Sequence, residues 1–162
     1  MYDSSNIIDF HELFNVGNVE ILFEKEIHLV GIDGELVPVR AIFDDGAMVN
    51  VIDANVFASL RHHLSPCGMS RKVLRVANGT LVSSEGSWTG TVIIGNVCAV
   101  GTFEIFPSNG VWTALFGKPL LKIFLVSHEY VGDTITLHND GHQSVIENDL
   151  ALRRKELGAN WL

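Results

Sequence analysis

The 162-residue sequence has few cysteines, few basic residues and no long apolar run, and each shortage excludes a class of protein. Its 2 cysteines, Cys67 and Cys98, are too few for a disulfide framework or a zinc cluster, so we expect free thiols in a reducing compartment. Against 19 Asp and Glu stand 11 Lys and Arg, and the net charge of -8 makes a nucleic-acid partner an unfavourable hypothesis. No apolar stretch is long enough to span a bilayer, so we expect no membrane partner.

The N-terminus and the composition exclude secreted and mostly disordered proteins. No basic stretch followed by an apolar run opens the sequence, so we expect no secretion signal and a cytoplasmic, intracellular protein. With 47% hydrophobic and 19% charged residues, the chain can build a core and is not a mostly disordered protein. A chain of this length suits one domain.

Composition divides the chain into three segments. Residues 1–26 form an acidic leader segment, residues 27–140 have the Val, Ile, Thr and Phe content of a β domain, and residues 141–162 are predicted as a helical C-terminal tail. Asn148 or Asp149 can cap the tail helix. Two interpretations of the outer segments stay open: linkers, or an autoinhibitory leader and a helical dimer contact.

The middle segment has the turn signals of β-hairpins. Three dipeptides that tolerate positive φ stand between apolar runs, as tight two-residue loops require. They are Asp33-Gly34, Asn78-Gly79 and Gly95-Asn96. Asp53 is predicted to cap a helix that Pro66 ends, and a second short helix is predicted over residues 119–124. We therefore expect a mainly β domain with one or two short helices.

The most informative stretch is a pair of acids, Asp44 and Asp45, that lies between two apolar runs and precedes Gly46 and Ala47. A plain surface turn explains an Asp-Asp-Gly sequence, since Asp and Gly favour turns. The flanking apolar residues instead indicate a turn near the core, where acidic side chains need a functional reason. From these residues alone, a catalytic or ligand-binding role and a plain turn both stay open.

The order of motifs along residues 27–140 resembles the retropepsin-like aspartic proteases, the homodimeric enzymes of retroviruses and LTR retrotransposons. A strand, the Asp-Xaa-Gly-Ala motif, a second strand and a short helix resemble the start of that family's domain. A later hairpin resembles its flap, and an apolar pair before Gly117 resembles its second signature. The residues of the flap are Val76, Ala77, Asn78, Gly79, Thr80 and Leu81. The likeness is greatest to the protease segment of retrotransposon polyproteins, with a fungal source as one option.

The resemblance implies a closed β-barrel of the acid-protease type and an endopeptidase that cleaves a peptide or polyprotein substrate. Because one chain supplies one catalytic acid, Asp44, the active site would form across the two-fold axis of a homodimer. The two carboxylates would share a proton and activate a water, so neither a metal nor another cofactor is implied. Asp45, Gly46 and Ala47 would shape the loop, and Leu115, Phe116 and Gly117 would pack behind it.

Asp45 departs from the family pattern, which usually has Thr or Ser directly after the catalytic acid. A hydroxyl donates and accepts hydrogen bonds, whereas an ionised carboxylate only accepts, and the dimer would gather four acids at its axis. We therefore expect weaker dimers near neutral pH and the best activity at acidic pH. One alternative is a catalytically weak or inactive dimeric peptide-binding module of the same fold. Another is a monomeric β-barrel with a fortuitous Asp-Asp-Gly turn.

The other chemistry-bearing residues form no recognised site. The 7 histidines are scattered without a zinc-binding pattern, and the sequence has no Gly-Xaa-Ser-Xaa-Gly elbow. A basic run between the first helix and the flap is either a solvated surface or a contact for peptide or RNA. Its members are Arg61, Arg71, Lys72 and Arg75.

Overall fold

The computed structural model describes residues 3–9, 22–76 and 78–150, and β-strands are its main element. The strands are β1 (Ile7–Asp9), β2 (Phe23–Val30), β3 (Leu36–Phe43), β4 (Asn50–Asp53), β5 (Val73–Arg75), β6 (Leu81–Ser83), β7 (Ser87–Ile94), β8 (Val97–Phe106), β9 (Ala114–Phe116), β10 (Ser127–Glu129), β11 (Thr134–Asn139) and β12 (His142–Glu147). The α-helices are α1 (Ala54–Leu60) and α2 (Lys118–Ile123), and a 3-10 helix, Ser4–Asn6, precedes β1. The expectation of a mainly β fold with short helices is confirmed.

Six strands close into a barrel in the order β2-β3-β9-β4-β8-β7. The long hairpins β2–β3 and β7–β8 are antiparallel; β2 and β3 pair along their whole length, and β7 pairs with residues 97–104 of β8. The pairs β3–β9 and β4–β8 are parallel. Closure satisfies the strand edges within the barrel, which makes it a firm platform for the loops at its ends.

The barrel strands bury alternate side chains. In β3, Val37, Val39 and Ala41 point into the core, while the residues between them are exposed. Large side chains fill the interior: Phe57, Trp88, Phe103, Phe116 and Phe124. Burial of this apolar surface is the main force that holds the barrel together.

Two three-stranded sheets lie outside the barrel, β1-β5-β6 and β10-β11-β12. The strand β12 lies within the segment predicted as a helical tail, and it pairs with β11 along its length. Asp140 and Gly141, with φ of 47° and 78°, form the tight turn that makes this hairpin possible. The rest of the tail, residues 151–162, lies outside the described residues.

The predicted start of the first helix agrees with the structure, but its predicted end does not. The side chain of Asp53 accepts hydrogen bonds from the N–H groups of Asn55 and Val56, so it caps α1 as predicted. The helix ends at Leu60, earlier than Pro66 requires. Among the residues that the structure describes, no helix has the length and apolar character needed to cross a membrane.

Candidate active site

Asp44 follows β3 directly, at the point where β3 and β9 run side by side. The N–H of Asp44 donates to the carbonyl oxygen of Phe116 at 3.0 Å. One residue earlier, the rings of Phe43 and Phe116 stack with centroids 4.4 Å apart and planes 6° from parallel. The start of the loop is therefore fixed to the barrel through both the main chain and an aromatic pair.

The acid-containing loop is a tight turn closed on the Asp44 side chain. The Gly46 N–H donates to Oδ1 of Asp44 at 2.9 Å, and the Ala47 N–H donates to the Asp44 carbonyl at 3.2 Å. Asp residues favour such turns because the side chain binds the main chain two residues later. The turn leaves Asp45 and Gly46 exposed and buries Ala47.

Gly117 supports the loop from below by close main-chain contact. A Cβ at this position would lie 2.4 Å from the Val49 carbonyl oxygen and 2.9 Å from that of Ala47, so a side chain does not fit. The next N–H, that of Lys118, donates to the Ala47 carbonyl oxygen at 2.9 Å. Gly117 and the loop that follows Asp44 thus pack closely against each other.

Asn50 joins the two halves of this region, and the sequence analysis missed it. Its side chain is 2% exposed. Its Oδ1 accepts a hydrogen bond from the Gly117 N–H at 2.9 Å, and its Nδ2 donates to the Thr102 carbonyl at 3.0 Å. The sequence feature that could have identified Asn50 is an amide side chain within an apolar strand, because a buried amide needs hydrogen-bond partners.

The environment of Asp44 favours its neutral form. Burial raises the pKa of the carboxyl, the Gly46 N–H partly opposes this, and the negative charge of Asp45 raises it further. The net effect is a pKa above the ordinary value of 3.8. Asp44 therefore keeps its proton to higher pH than a solvated aspartate, which suits a group that exchanges protons with a substrate.

The hairpin predicted as a flap is present as β5 and β6, an antiparallel pair of short strands. The N–H of Val76 donates to the Thr80 carbonyl at 2.9 Å, and Gly79 has a φ of +86°. Asn78 Oδ1 accepts from the Thr80 N–H at 2.9 Å, which tightens the turn. Ala77 lies outside the described residues. The role of this hairpin in covering a substrate stays a prediction.

A small apolar cluster lies between the hairpin and the acid-containing loop, and we call it the groove cluster. Its buried members are Ile8, Ala47, Val51, Leu74, Phe106, Trp112 and Leu115, and its partly buried members are Ile42, Val49, Val76 and Val82. Three predicted site residues, Ala47, Val76 and Leu115, meet here. Phe116 belongs to the barrel core instead, since neighbouring strand residues point to opposite faces. Leu81 lies partly buried in β6, and the turn residues Asn78, Gly79 and Thr80 are exposed.

Neither a comparison of the sequence with models of known families nor one with curated proteins finds a match. Solved structures do match. The retroviral protease-like domain of Ddi1 from Leishmania major shares 14% identity with a TM-score of 0.55, over 81% of this chain and 99% of that chain. A retropepsin-like aspartic protease from Rickettsia conorii shares 16% identity with a TM-score of 0.44, over 80% and 98%. The likeness to the Ddi1 domain shows that the fold is retropepsin-like.

Proposed function

We propose that the protein is an aspartic endopeptidase whose active site forms in a homodimer, with Asp44 of each chain as one catalytic carboxylate. The observation that carries the proposal is the state of Asp44: a part-buried acid at the end of a barrel strand, with a raised pKa. An acid of this kind can hold a proton at mildly acidic pH and release it to a substrate.

The proposed reaction needs two Asp44 side chains and a water between them. Two adjacent carboxylates share one proton, because both cannot readily ionise at close range. The ionised carboxylate removes a proton from the water as the water oxygen attacks the peptide carbonyl carbon. The protonated carboxyl donates to the carbonyl oxygen as the C=O π bond breaks, which gives a tetrahedral gem-diol. The C–N bond then breaks as one carboxyl donates a proton to the leaving amine nitrogen and the other carboxylate takes a proton from a gem-diol hydroxyl. Since each chain has one such motif, a two-fold dimer supplies the pair.

The proposed substrate is an extended peptide segment of a retrotransposon-type polyprotein, cleaved in the cytoplasm. The groove cluster supports an extended peptide, because its side chains come from the loop on one side and the hairpin on the other. Such a peptide would add to the hairpin as a strand, and residues 76–81 would close over it and exclude water.

Asp45 supports a second candidate function, a dimeric peptide-binding module with weak or no hydrolysis. Asp45 is exposed and its charge already acts on Asp44 within one chain. In a dimer the two Asp45 side chains would add two more negative charges near the axis. A carboxylate there cannot donate the hydrogen bond that a hydroxyl would.

Digestion of a mixed peptide library between pH 4 and pH 7 tests the protease proposal. We expect the unmodified protein to cleave, fastest at the acidic end, and Asp44→Asn to lose at least about 100-fold in rate. Circular dichroism and the solution mass show whether both proteins are folded dimers. A folded dimer that binds library peptides but cleaves none, at high concentration, contradicts the protease and favours the binding module. A monomer at all concentrations that binds nothing contradicts both.

Asp45→Thr distinguishes a weakened protease from a binding module. Because the change removes two charges from the dimer axis and restores a hydroxyl, we expect cleavage near pH 7 to rise roughly tenfold. Asp45→Asn removes the charge without restoring the hydroxyl, so it separates the two contributions. Equal cleavage rates of the unmodified protein at pH 5 and pH 8 would contradict the electrostatic argument.

A further inference from the structure

The leader strand β1 lies against the hairpin β5–β6, far from it in sequence. The two strands are parallel, with Ile7 opposite Val73, Ile8 opposite Leu74, and Asp9 opposite Arg75. The other edge of β5 pairs with β6, so both edges of β5 are in use. An incoming peptide can add to β5 only if β1 leaves.

The side chain of Ile8 fills the space between the hairpin and the acid-containing loop. It is 6% exposed and belongs to the groove cluster. Ala47 and Leu115 in that cluster adjoin the Asp44 loop, whereas Leu74 comes from the hairpin. A single aliphatic side chain from β1 thus fills the apolar space between the hairpin and the loop, which is the space that the proposed function assigns to a bound peptide.

The charges of residues 3–9 are complementary to those of the hairpin beside them. Oδ1 of Asp9 lies 3.3 Å from Nη1 of Arg75. Before the 3-10 helix that precedes β1, Asp3 accepts hydrogen bonds from Ser5 and lines one surface depression with Arg71 and Lys72. Residues 3–9 of the leader therefore lie beside Arg71, Lys72 and Arg75 of the basic run, and these basic residues otherwise have no role in the proposed function.

We propose that strand β1 occupies the peptide groove of its own chain, and that the groove binds extended peptides of the leader's kind, with an aliphatic residue followed by an acidic one. The proposal rests on the proposed function in that it names the ligand of the same groove. A tethered segment reaches an effective concentration on the order of millimolar, so free peptides compete poorly until it is displaced. The leader thus limits access to Asp44.

Binding of a labelled peptide with the sequence of residues 3–9 to full-length protein tests this proposal. All proteins carry Asp44→Asn, so that the readout does not depend on hydrolysis. Ile8→Asp expels the leader because an acid is costly in an apolar cluster, and we expect the peptide to bind at least about tenfold more tightly than to the Asp44→Asn parent. Ile8→Ala weakens the leader less, with about a threefold gain. Ile7→Ala, on the opposite face of β1, is the matched control and should match the parent.

Several results would overturn the proposal. The first is that the peptide binds the parent, Ile8→Ala and Ile7→Ala with equal affinity. If Ile8→Asp does not fold, the comparison of these three proteins is the test. Another is equally tight binding of a peptide whose own Ile8 is replaced by Asp, because the contact would then be a non-specific charge effect. If the protein cleaves no peptide but Ile8→Asp gains affinity as expected, the protease proposal fails and this one stands. If the unmodified protein cleaves peptides but the Ile8 variants gain no peptide affinity, the protease proposal stands and this one fails.

Discussion

Asp44 follows β3 and Asp53 ends β4, two strands that are consecutive in sequence, and the two acids differ in the number of hydrogen-bond donors around them. Asp53 is 6% exposed and accepts three main-chain hydrogen bonds, from Ser108 at 2.8 Å and from Asn55 and Val56 at 3.1 Å each. The side chain of Asp44 accepts one hydrogen bond among those of the described residues, from Gly46. Burial raises the pKa of both, but at Asp53 the hydrogen bonds outweigh it and the pKa is lowered.

This difference separates a structural acid from an available one. The carboxylate of Asp53 caps α1 and accepts from the Ser108 N–H, so few of its acceptor positions are open to a ligand. Within the described part of the chain, the Asp44 carboxyl has unused acceptor positions, and its location depends on main-chain contacts of the loop. Those contacts run through the Phe116 carbonyl and through Gly117, which Asn50 holds in place.

The largest effect we expect comes from Gly117→Ala, which tests whether the main chain positions Asp44. The added Cβ would meet the Val49 carbonyl oxygen at 2.4 Å, so the loop must move. We expect the free energy of unfolding to fall by about 3 kcal/mol, with loss of peptide cleavage. Urea denaturation measures the first and the library digestion measures the second.

Gly79→Ala is the matched control for this change. A Cβ at Gly79 would meet no atom within 4 Å, but the φ of +86° strains any side chain, so we expect a cost of about 1 kcal/mol. Equal costs for the two substitutions would contradict the close approach at Gly117.

The next effect concerns the two acids themselves. Asp53→Ala removes the cap of α1 and leaves the buried Ser108 N–H without its acceptor, which should lower the free energy of unfolding by about 2 kcal/mol at pH 7. Asp44→Ala should change it by less than about 0.5 kcal/mol, because Asp44 is half-buried and accepts a single hydrogen bond. Urea denaturation of both variants measures the contrast, and a larger loss in Asp44→Ala would reverse our assignment of the two roles.

Features that depend on a short stretch of sequence could be predicted. Each of the dipeptides Asp33-Gly34, Asn78-Gly79 and Gly95-Asn96 lies between paired strands. Gly95-Asn96 forms the predicted two-residue loop, whereas five residues separate β2 from β3 and β5 from β6, so the predicted loop length is wrong at Asp33-Gly34 and Asn78-Gly79. Whether a turn needs a positive φ depends on the turn itself, and few residue types tolerate a positive φ. Asp53 was predicted as a cap for the same reason, since a cap bonds to the next turn of its own helix.

Features that depend on distant partners could not be predicted. The contact of Asp9 with Arg75 joins residues 66 positions apart, and a parallel pair of strands needs no turn that the sequence would reveal. The Gly117 N–H meets Asn50 across 67 positions. The position of Asp44 could be predicted from its motif, but the imbalance between its burial and its single donor could not, because both follow from packing.

The smallest effect is a difference in sign between the pH dependence of stability at the two acids. The pKa of Asp44 is raised above 3.8 in the folded protein, so the native state binds more protons than the unfolded state above that pH, and stability falls as pH rises through the raised value. The pKa of Asp53 is lowered, so its contribution is present above 3.8 and is lost as pH falls through the folded value. Urea denaturation between pH 3 and pH 7 should show that Asp44→Asn loses a downward slope of stability with pH and that Asp53→Asn loses an upward one. Slopes of the same sign would mean that burial, not the number of donors, governs both acids.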